Sequence, residues 1–343
     1  MNSKPILKIA ASFAGTTSAK GMEGLTLSMI HGDEASFNSQ VSELTEWIKN
    51  MGTPDIIHLS STLIIGIAKA LKQQLQIPIV CSLQDEEIWV DSMKKEYIST
   101  AWKGIGNNVK YIDSFVASSE YYRQAAIAKV PEIKNITVIY PGIEIEKYYS
   151  EHYPPNPVIG FFYRMNRLNG LDILAEAFVK LKQKGTVKNL QLKIAGGYTS
   201  EDKKFLKQIK KILSPCKDSV DWSNAYSPDD HHLFYRQITL ICVPITFNEA
   251  AGLYICEAFA AGRPAVEPAT GSFNETVENA GILYTPNNSQ TLAEALEKIL
   301  TDNTLMTRCK NEALKLSRER YNSQVLSKTL IKIYTQHGDN KNS

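Results

Sequence analysis

The chain has 343 residues, 43% of them hydrophobic and 22% charged, with 19 glycines and 14 prolines, a composition that excludes disorder, collagen-like repeats and coiled coil. Its length suits two domains, each able to bury its own core. Lys and Arg outnumber Asp and Glu by only 38 to 36, and residues 1–145 carry 13 basic against 15 acidic side chains, so no part offers the basic field that nucleic-acid binding needs.

The first 50 residues show helical spacing: Phe37, Val41, Leu44 and Ile48 recur at four, three and four and predict one buried helix face. The first strand is expected at 55–60 (DIIHLS), followed by a helix from Leu63 to Leu75, a strand at 77–83, helices to about 112, a strand at 114–118, a helix, and a strand at 136–140. Strands alternating with helices mean parallel pairing. Residues 141–157 hold Pro141, Gly142, Pro154, Pro155 and Pro157, a compositional break that marks a domain boundary. A second alternation follows: VIGFFY, a helix with Leu171, Leu174, Ala175, Phe178 and Leu181, LQLKIAGG, a helix to Leu213, SVDW, a helix opened by Ser227-Pro228, and the strand ITLICVPI at 238–245. A helix at 253–261, strands at PAVE and ILYT, and closing helices complete it. The pattern predicts an α/β chain of two doubly wound, Rossmann-like domains, 1–145 and 146–322, with 323–343 as a last helix and tail.

The five cysteines (Cys81, Cys216, Cys242, Cys256, Cys309) have no C-x-x-C spacing, and three sit within apolar runs, so they are expected to be reduced rather than paired or metal-bound. No apolar stretch approaches the roughly 18 residues of a membrane span. The run PILKIAASFAG at 5–15 is broken by Lys8 and too short for a secretory signal. A cytoplasmic protein is expected, with peripheral membrane contact still compatible, and the Asn-x-Ser/Thr triplets at Asn135, Asn274 and Asn287 are then without meaning.

Chemistry concentrates where the strand at 238–245, apolar throughout as a doubly covered parallel strand should be, empties into the loop TFNEAAG. The helix LYICEAFAA that follows is apolar nearly all round, so it should be buried, and Glu257 is its only charge. A carboxylate among Leu253, Ala260 and Ala261 is costly unless a partner meets it, which points to function at Glu257. Glu249 lies eight residues earlier, separated from the helix by Ala250, Ala251 and Gly252. Small residues let a ligand approach the backbone there, and the helix start favours an anion such as a phosphate. No cluster has metal-ligand spacing; His231 and His232 are adjacent, point apart on a helix, and are expected to form a solvated face.

The segment N-E-A-A-G-L-Y-I-C-E-A-F-A-A-G-R-P at 248–264 resembles the E-x(7)-E segment of family-4 retaining glycosyltransferases of the GT-B fold. PDIIHLSS at 54–61, YPGIEIEKYY at the domain junction, Arg164 with Gly170-Leu171, KIAGG at 193–197 and ATGSFNETVENAGILYTP at 269–286 extend the likeness over about 54–336. The resemblance implies two Rossmann-like domains facing across a cleft, the C-terminal one binding a nucleotide-diphosphate-sugar and the N-terminal one a carbohydrate or other acceptor, with no metal or other cofactor. It implies that Glu257 binds the ribose hydroxyls and Glu249 the transferred sugar. Arg164 and the N–H groups around Ala251, Gly252 and Leu253 would hold the diphosphate, with Gly197 lining the site.

Three positions depart from that pattern. Asn169 stands where a lysine usually joins the arginine, and is itself a good N-cap for the helix from about 170; Arg167 is the nearby candidate to supply the charge. Tyr163 replaces a small glycine before the arginine, and Gln84, followed by Asp85, replaces a histidine near the acceptor. The front is also short: four strands are expected in the N-terminal sheet, so the sequence is a fragment, or residues 1–50 or another chain cover the open edge. The reading is a hexosyltransferase; a non-catalytic nucleotide-sugar-binding subunit is the alternative, and an epimerase of the same fold a more distant one.

Overall fold

The computed structural model describes residue 19 and residues 21–32, 35–223 and 226–338, with the side chains of 35–38 outside that set. The chain divides into two compact units, Met1–Ile139 with Leu330–Ser343, and Tyr140–Thr329. The segment 5–15 lies outside the described residues, as do Asn224 and Ala225.

In the first unit β1 (Ile57–Leu59), β2 (Ile79–Leu83), β3 (Ser114–Ala117) and β4 (Ile136–Val138) form one parallel sheet in sequential order. That makes four strands among the described residues, the number expected. The helix Glu23–His31 packs so closely on the turn at 62–67 that a Cβ on Gly66 would lie 2.4 Å from the Met29 carbonyl oxygen, and Asn108 donates to the Ile30 carbonyl at 2.9 Å. The single helix expected from Leu63 is broken: Thr62–Ile67 is a 3₁₀ turn with Ile64 at φ −109°, and the α-helix begins only at Ala68. In the helix Ala35–Met51 the buried face is set by Val41 and Thr45, whose hydroxyl donates to Gln74 Oε1 at 2.7 Å, whereas Leu44 turns outward at 37% exposure. The side chain of Phe37 is outside the described set. Tyr334 of the helix Ser323–Gly338 bonds His58 Nδ1 at 2.6 Å, and His58 Nε2 meets Ser82 Oγ at 2.9 Å.

The second unit holds β5 (Val158–Phe162), β6 (Gln191–Ala195), β7 (Val220–Trp222), β8 (Leu240–Ile241), β9 (Ala265–Pro268) and β10 (Gly281–Tyr284), parallel in the order β10-β9-β8-β5-β6-β7. This is the doubly wound order in which the chain starts at the centre, builds one edge and returns to build the other, so the direction of winding reverses between β5 and β8. The strand expected over 238–245 pairs only as β8. Beyond it the Val243 N–H donates to the two carboxyl oxygens of Glu267 at 3.1 and 3.2 Å rather than to a strand carbonyl, and the Ile245 N–H turns back to the Val243 carbonyl at 2.7 Å. All five cysteines are free, and all but Cys216 are buried.

Candidate functional site at the strand-order reversal

Open parallel sheets present a ligand crevice at the carboxyl ends of the strands where their order reverses. Here that place is bounded by the loops after β5, β6 and β8, which glycines allow to touch. Gly170, at φ +69°, sits where a Cβ would be 1.9 Å from the Pro244 carbonyl oxygen, and Gly196, at φ +132°, where one would be 1.9 Å from that of Tyr163. Thr246 N–H donates to Leu168 O at 2.8 Å and Met165 N–H to Gly197 O at 2.8 Å. No side chain larger than hydrogen fits those contacts.

Arg164 follows β5. Its Nη2 reaches Thr199 Oγ1 at 3.3 Å and Asp202 Oδ2 at 3.4 Å, and its buried Nε has no partner in the protein. Both contacts are long, so the guanidinium keeps donors to offer. Asn169 is buried, takes a bond from none of the helix N–H groups, and donates its amide to the Arg164 carbonyl at 2.7 Å. The residue at the head of the helix Leu171–Lys184 is Gly170, not Asn169, which corrects the capping expected from sequence. Arg167 is likewise committed elsewhere: it pairs with Asp172 at 2.8 Å, reaches Gln208 and lies over the Phe205 ring. Gly197 is exposed at the end of β6.

The loop after β8 is fixed by its own backbone. Ser272 N–H donates to Glu249 O at 2.9 Å, and a Cβ on Gly271 would strike the Glu249 backbone at 2.6 Å. Glu249 is 5% exposed; Gly252 N–H donates to its Oε1 and the Tyr163 hydroxyl to its Oε2, each at 3.3 Å. Burial pushes its carboxyl up, against the Gly252 and Ala251 N–H groups and the Tyr163 hydroxyl, which hold it down. Gly252, at φ +70°, turns the chain into the helix Leu253–Ala260, whose first N–H groups have no partner within the helix. Leu253 is exposed at 53%, and every residue from Tyr254 to Ala260 is buried.

Glu257 is 9% exposed, and both its oxygens are met by phenols: Tyr148 donates to Oε1 and Tyr235 to Oε2, each at 2.7 Å. These partners were absent from the sequence reading. His231 Nδ1 stands 3.4 Å from Oε1, and its ring packs edge-on against Phe162. Neither histidine forms the solvated face expected: both are half-buried, His231 turning to the carboxylate and His232 packing edge-on against the Tyr148 ring, with its Nδ1 3.0 Å from the Asp229 carbonyl. The spacing of His231 and Tyr235, four apart on one short helix, was the signal available for placing both on the same side. Asp202, opposite Arg164, and Glu267, beneath the loop after β8, carried no sequence signal of function. Among the described residues no group of three or more His, Cys, Asp or Glu is placed to hold a metal, and no helix is long and apolar enough to cross a membrane.

Comparison with known proteins bears on the family and the fold. A family model for glycosyl transferases group 1 matches residues 143–316, just over half the chain, and one for glycosyltransferase family 4 matches 30–147. A D-inositol 3-phosphate glycosyltransferase of Corynebacterium jeikeium is 27% identical over 186 residues, 52% of this chain and 43% of that protein. That of Corynebacterium urealyticum is 26% identical over 58% of this chain and 50% of its own. The chain thus spans half or less of these curated relatives. An uncharacterized glycosyltransferase of Methanocaldococcus jannaschii is 24% identical over 88% of this chain and 80% of its own. Among solved structures, Anabaena HepE in complex with UDP and glucose matches at TM-score 0.73 and 18% identity over 86% of this chain and 80% of that one. Sucrose-phosphate synthase of Thermosynechococcus elongatus matches at 0.73 and 19%, over 86% and 76%. The structural likeness shows a GT-B fold with Rossmann-like domains, as the sequence implied. The chain belongs to the group 1 family of glycosyl transferases.

Proposed function

We propose that the chain transfers a hexose from a nucleotide-diphosphate-sugar to a carbohydrate or small-molecule acceptor with retention of anomeric configuration. One observation carries the reading: Glu257, a nearly buried carboxylate held by two phenols, lies at the strand-order reversal in the helix that Gly252 starts. A carboxylate has roughly four acceptor directions. Two are taken by Tyr148 and Tyr235, and the long contact from His231 is weak enough to yield, so a vicinal diol such as that of ribose can be received. In the reaction the bond from the sugar C1 to the diphosphate oxygen breaks and its electron pair stays with the diphosphate. The acceptor hydroxyl oxygen then bonds C1 on the same face, and its proton passes to the departing diphosphate oxygen. Arg164 and the N–H group of Leu253 at the helix start meet the charge that develops, which lowers the barrier rather than only improving binding. Glu249 faces the transferred sugar. Asn169 positions the Arg164 backbone instead of serving as a second cation.

Support from relatives is of the same kind: HepE is solved with UDP and with UDP-glucose, and the Corynebacterium jeikeium relative is named for glycosyl transfer to an inositol phosphate. Calorimetric titration of the full chain with UDP, GDP and ADP tests the site. One of them is expected to bind, in EDTA as in buffer, and Glu257→Gln to bind it about 1–3 kcal/mol more weakly, since a charged acceptor becomes a neutral one. No binding of any of the three at millimolar concentration overturns the assignment, and a product of inverted configuration overturns retention.

A further inference from the structure

The two glutamates of the site are buried to nearly the same degree but are covered differently. Glu257 meets hydroxyls of buried Tyr148 and Tyr235. Glu249 is covered by Tyr163, which is partly exposed while the carboxylate beneath it is not. The phenol cannot drift: its backbone carbonyl is wedged against Gly196, and its ring meets the Tyr254 ring edge-on at 5.2 Å between centroids, with Tyr254 in turn edge-on to Phe273. Gly252 N–H holds Oε1, so Oε2, the oxygen under Tyr163, is the one a ligand hydroxyl would seek.

Resting on the donor-site reading above, we propose that Tyr163 is a specificity-determining residue that screens Glu249 from the donor sugar. A nucleoside diphosphate engages Glu257 and Arg164 without disturbing this pair. A sugar hydroxyl that approaches Glu249 Oε2 from the side Tyr163 covers must displace the Tyr163 hydroxyl, a contact of 3.3 Å, and the site discriminates against that sugar by the worth of that one long hydrogen bond. The class of donor admitted is therefore one whose sugar is held mainly through its diphosphate and by groups other than Glu249.

Tyr163→Phe keeps the ring and its contact with Tyr254 while exposing Oε2. The full chain and this variant are titrated with UDP, GDP and ADP and with UDP-glucose, GDP-mannose and ADP-glucose, and thermal melting confirms that the variant is folded. For the nucleotide that binds, affinity is expected to stay essentially unchanged, while affinity for its sugar conjugate rises about three- to fivefold, the scale of one long hydrogen bond. A packing role alone would move both ligands together. Tyr163→Ala, which removes the ring as well, is expected to shift the ratio in the same direction. A ratio of nucleotide-sugar to nucleotide affinity that is unchanged or lower in both variants overturns the screen and leaves the donor site standing. Failure of every nucleotide to bind the parent chain overturns the donor site itself, and this inference with it.

Discussion

The two sheets of the molecule solve one problem in opposite ways. In the first unit the strands run β1-β2-β3-β4 in sequence, so among the described strands nothing reverses. Its buried carboxylate, Glu86, closes the strand ends by accepting from Ser61 Oγ at 2.9 Å, Thr62 N–H at 3.1 Å, Gln84 N–H at 2.8 Å and Tyr122 Oη at 2.6 Å. In the second unit the order reverses between β5 and β8, and Glu267 takes the Val243 N–H. There the carboxyl takes a backbone N–H that the strand would otherwise use, so β8 ends early and the chain turns into the loop that carries Glu249 and Gly252. One acid ties the segments at the strand ends together; the other ends a strand.

The largest expected effect breaks that contrast from the first unit. Glu86→Ala strands several buried donors, each worth about 1–3 kcal/mol when left without an acceptor, so a loss of roughly 3–5 kcal/mol is expected there. Hydrogen exchange resolved by peptide checks it: amides of β1 to β4 should lose protection while those of β5 to β10 keep theirs. Equal loss in both would show that Glu86 is no local seal.

The mirror test is smaller. Gly170→Ala puts a Cβ against the Pro244 carbonyl at a positive φ, so the loop after β5 must move away from the loop after β8. A destabilisation of about 2–3 kcal/mol is expected, from left-handed strain and from overpacking together. Nucleotide affinity should fall as well, because Arg164 and Glu249 are positioned by those loops. Retained affinity would mean that the two loops are independent.

Much of this architecture was legible. Helical spacing against strand alternation gave both sheets and the order of elements, and the apolar run at 238–245 with its small-residue exit pointed to the strand-to-helix corner after β8; the reversal of strand order there came only with the topology. What could not be read depends on contacts between residues far apart in sequence. Tyr148 and Tyr235 meet Glu257 across 109 and 22 positions, and neither tyrosine differs in pattern from an ordinary core aromatic. The length of β8 was misjudged because hydrophobicity reports burial, not which acceptor Val243 finds. Leu44 was assigned inward because a stripe at four, three and four fits more than one face of a helix, and packing chose the one with Thr45. Asn169 satisfied the sequence rule for a cap, yet Gly170 was required at the turn by its approach to Pro244, and the asparagine turned to Arg164.

The smallest expected effects are in pH, and they carry opposite signs at His58 and at Glu267. Burial lowers the pKa of His58 from 6.5. The unfolded chain therefore takes up the proton first, and the stability due to neutral His58, with its bonds to Ser82 and Tyr334, is complete above about 6.5 and declines as pH falls toward the lowered value. Glu267 is the reverse case: burial raises its carboxyl well above 4.5, with the Val243 N–H opposing. The unfolded chain then loses the proton first, so the folded state is favoured most below about 4.5 and loses that advantage as pH rises toward the raised value. Glu249 in the same unit has the same sign, and so does Glu87 in the first unit, both through burial, so whole-molecule melting curves would mix the contributions. Differences between parent and variant separate them. The gap between the parent and His58→Gln should narrow as pH falls below 6.5, because the parent alone weakens there. Glu267→Gln, which keeps an oxygen for Val243, should gain on the parent as pH rises above 4.5. A Glu267→Gln variant that tracks the parent at every pH from 4 to 8 would mean that Glu267 is charged in the folded state, and that β8 is ended by a carboxylate rather than by a neutral acid.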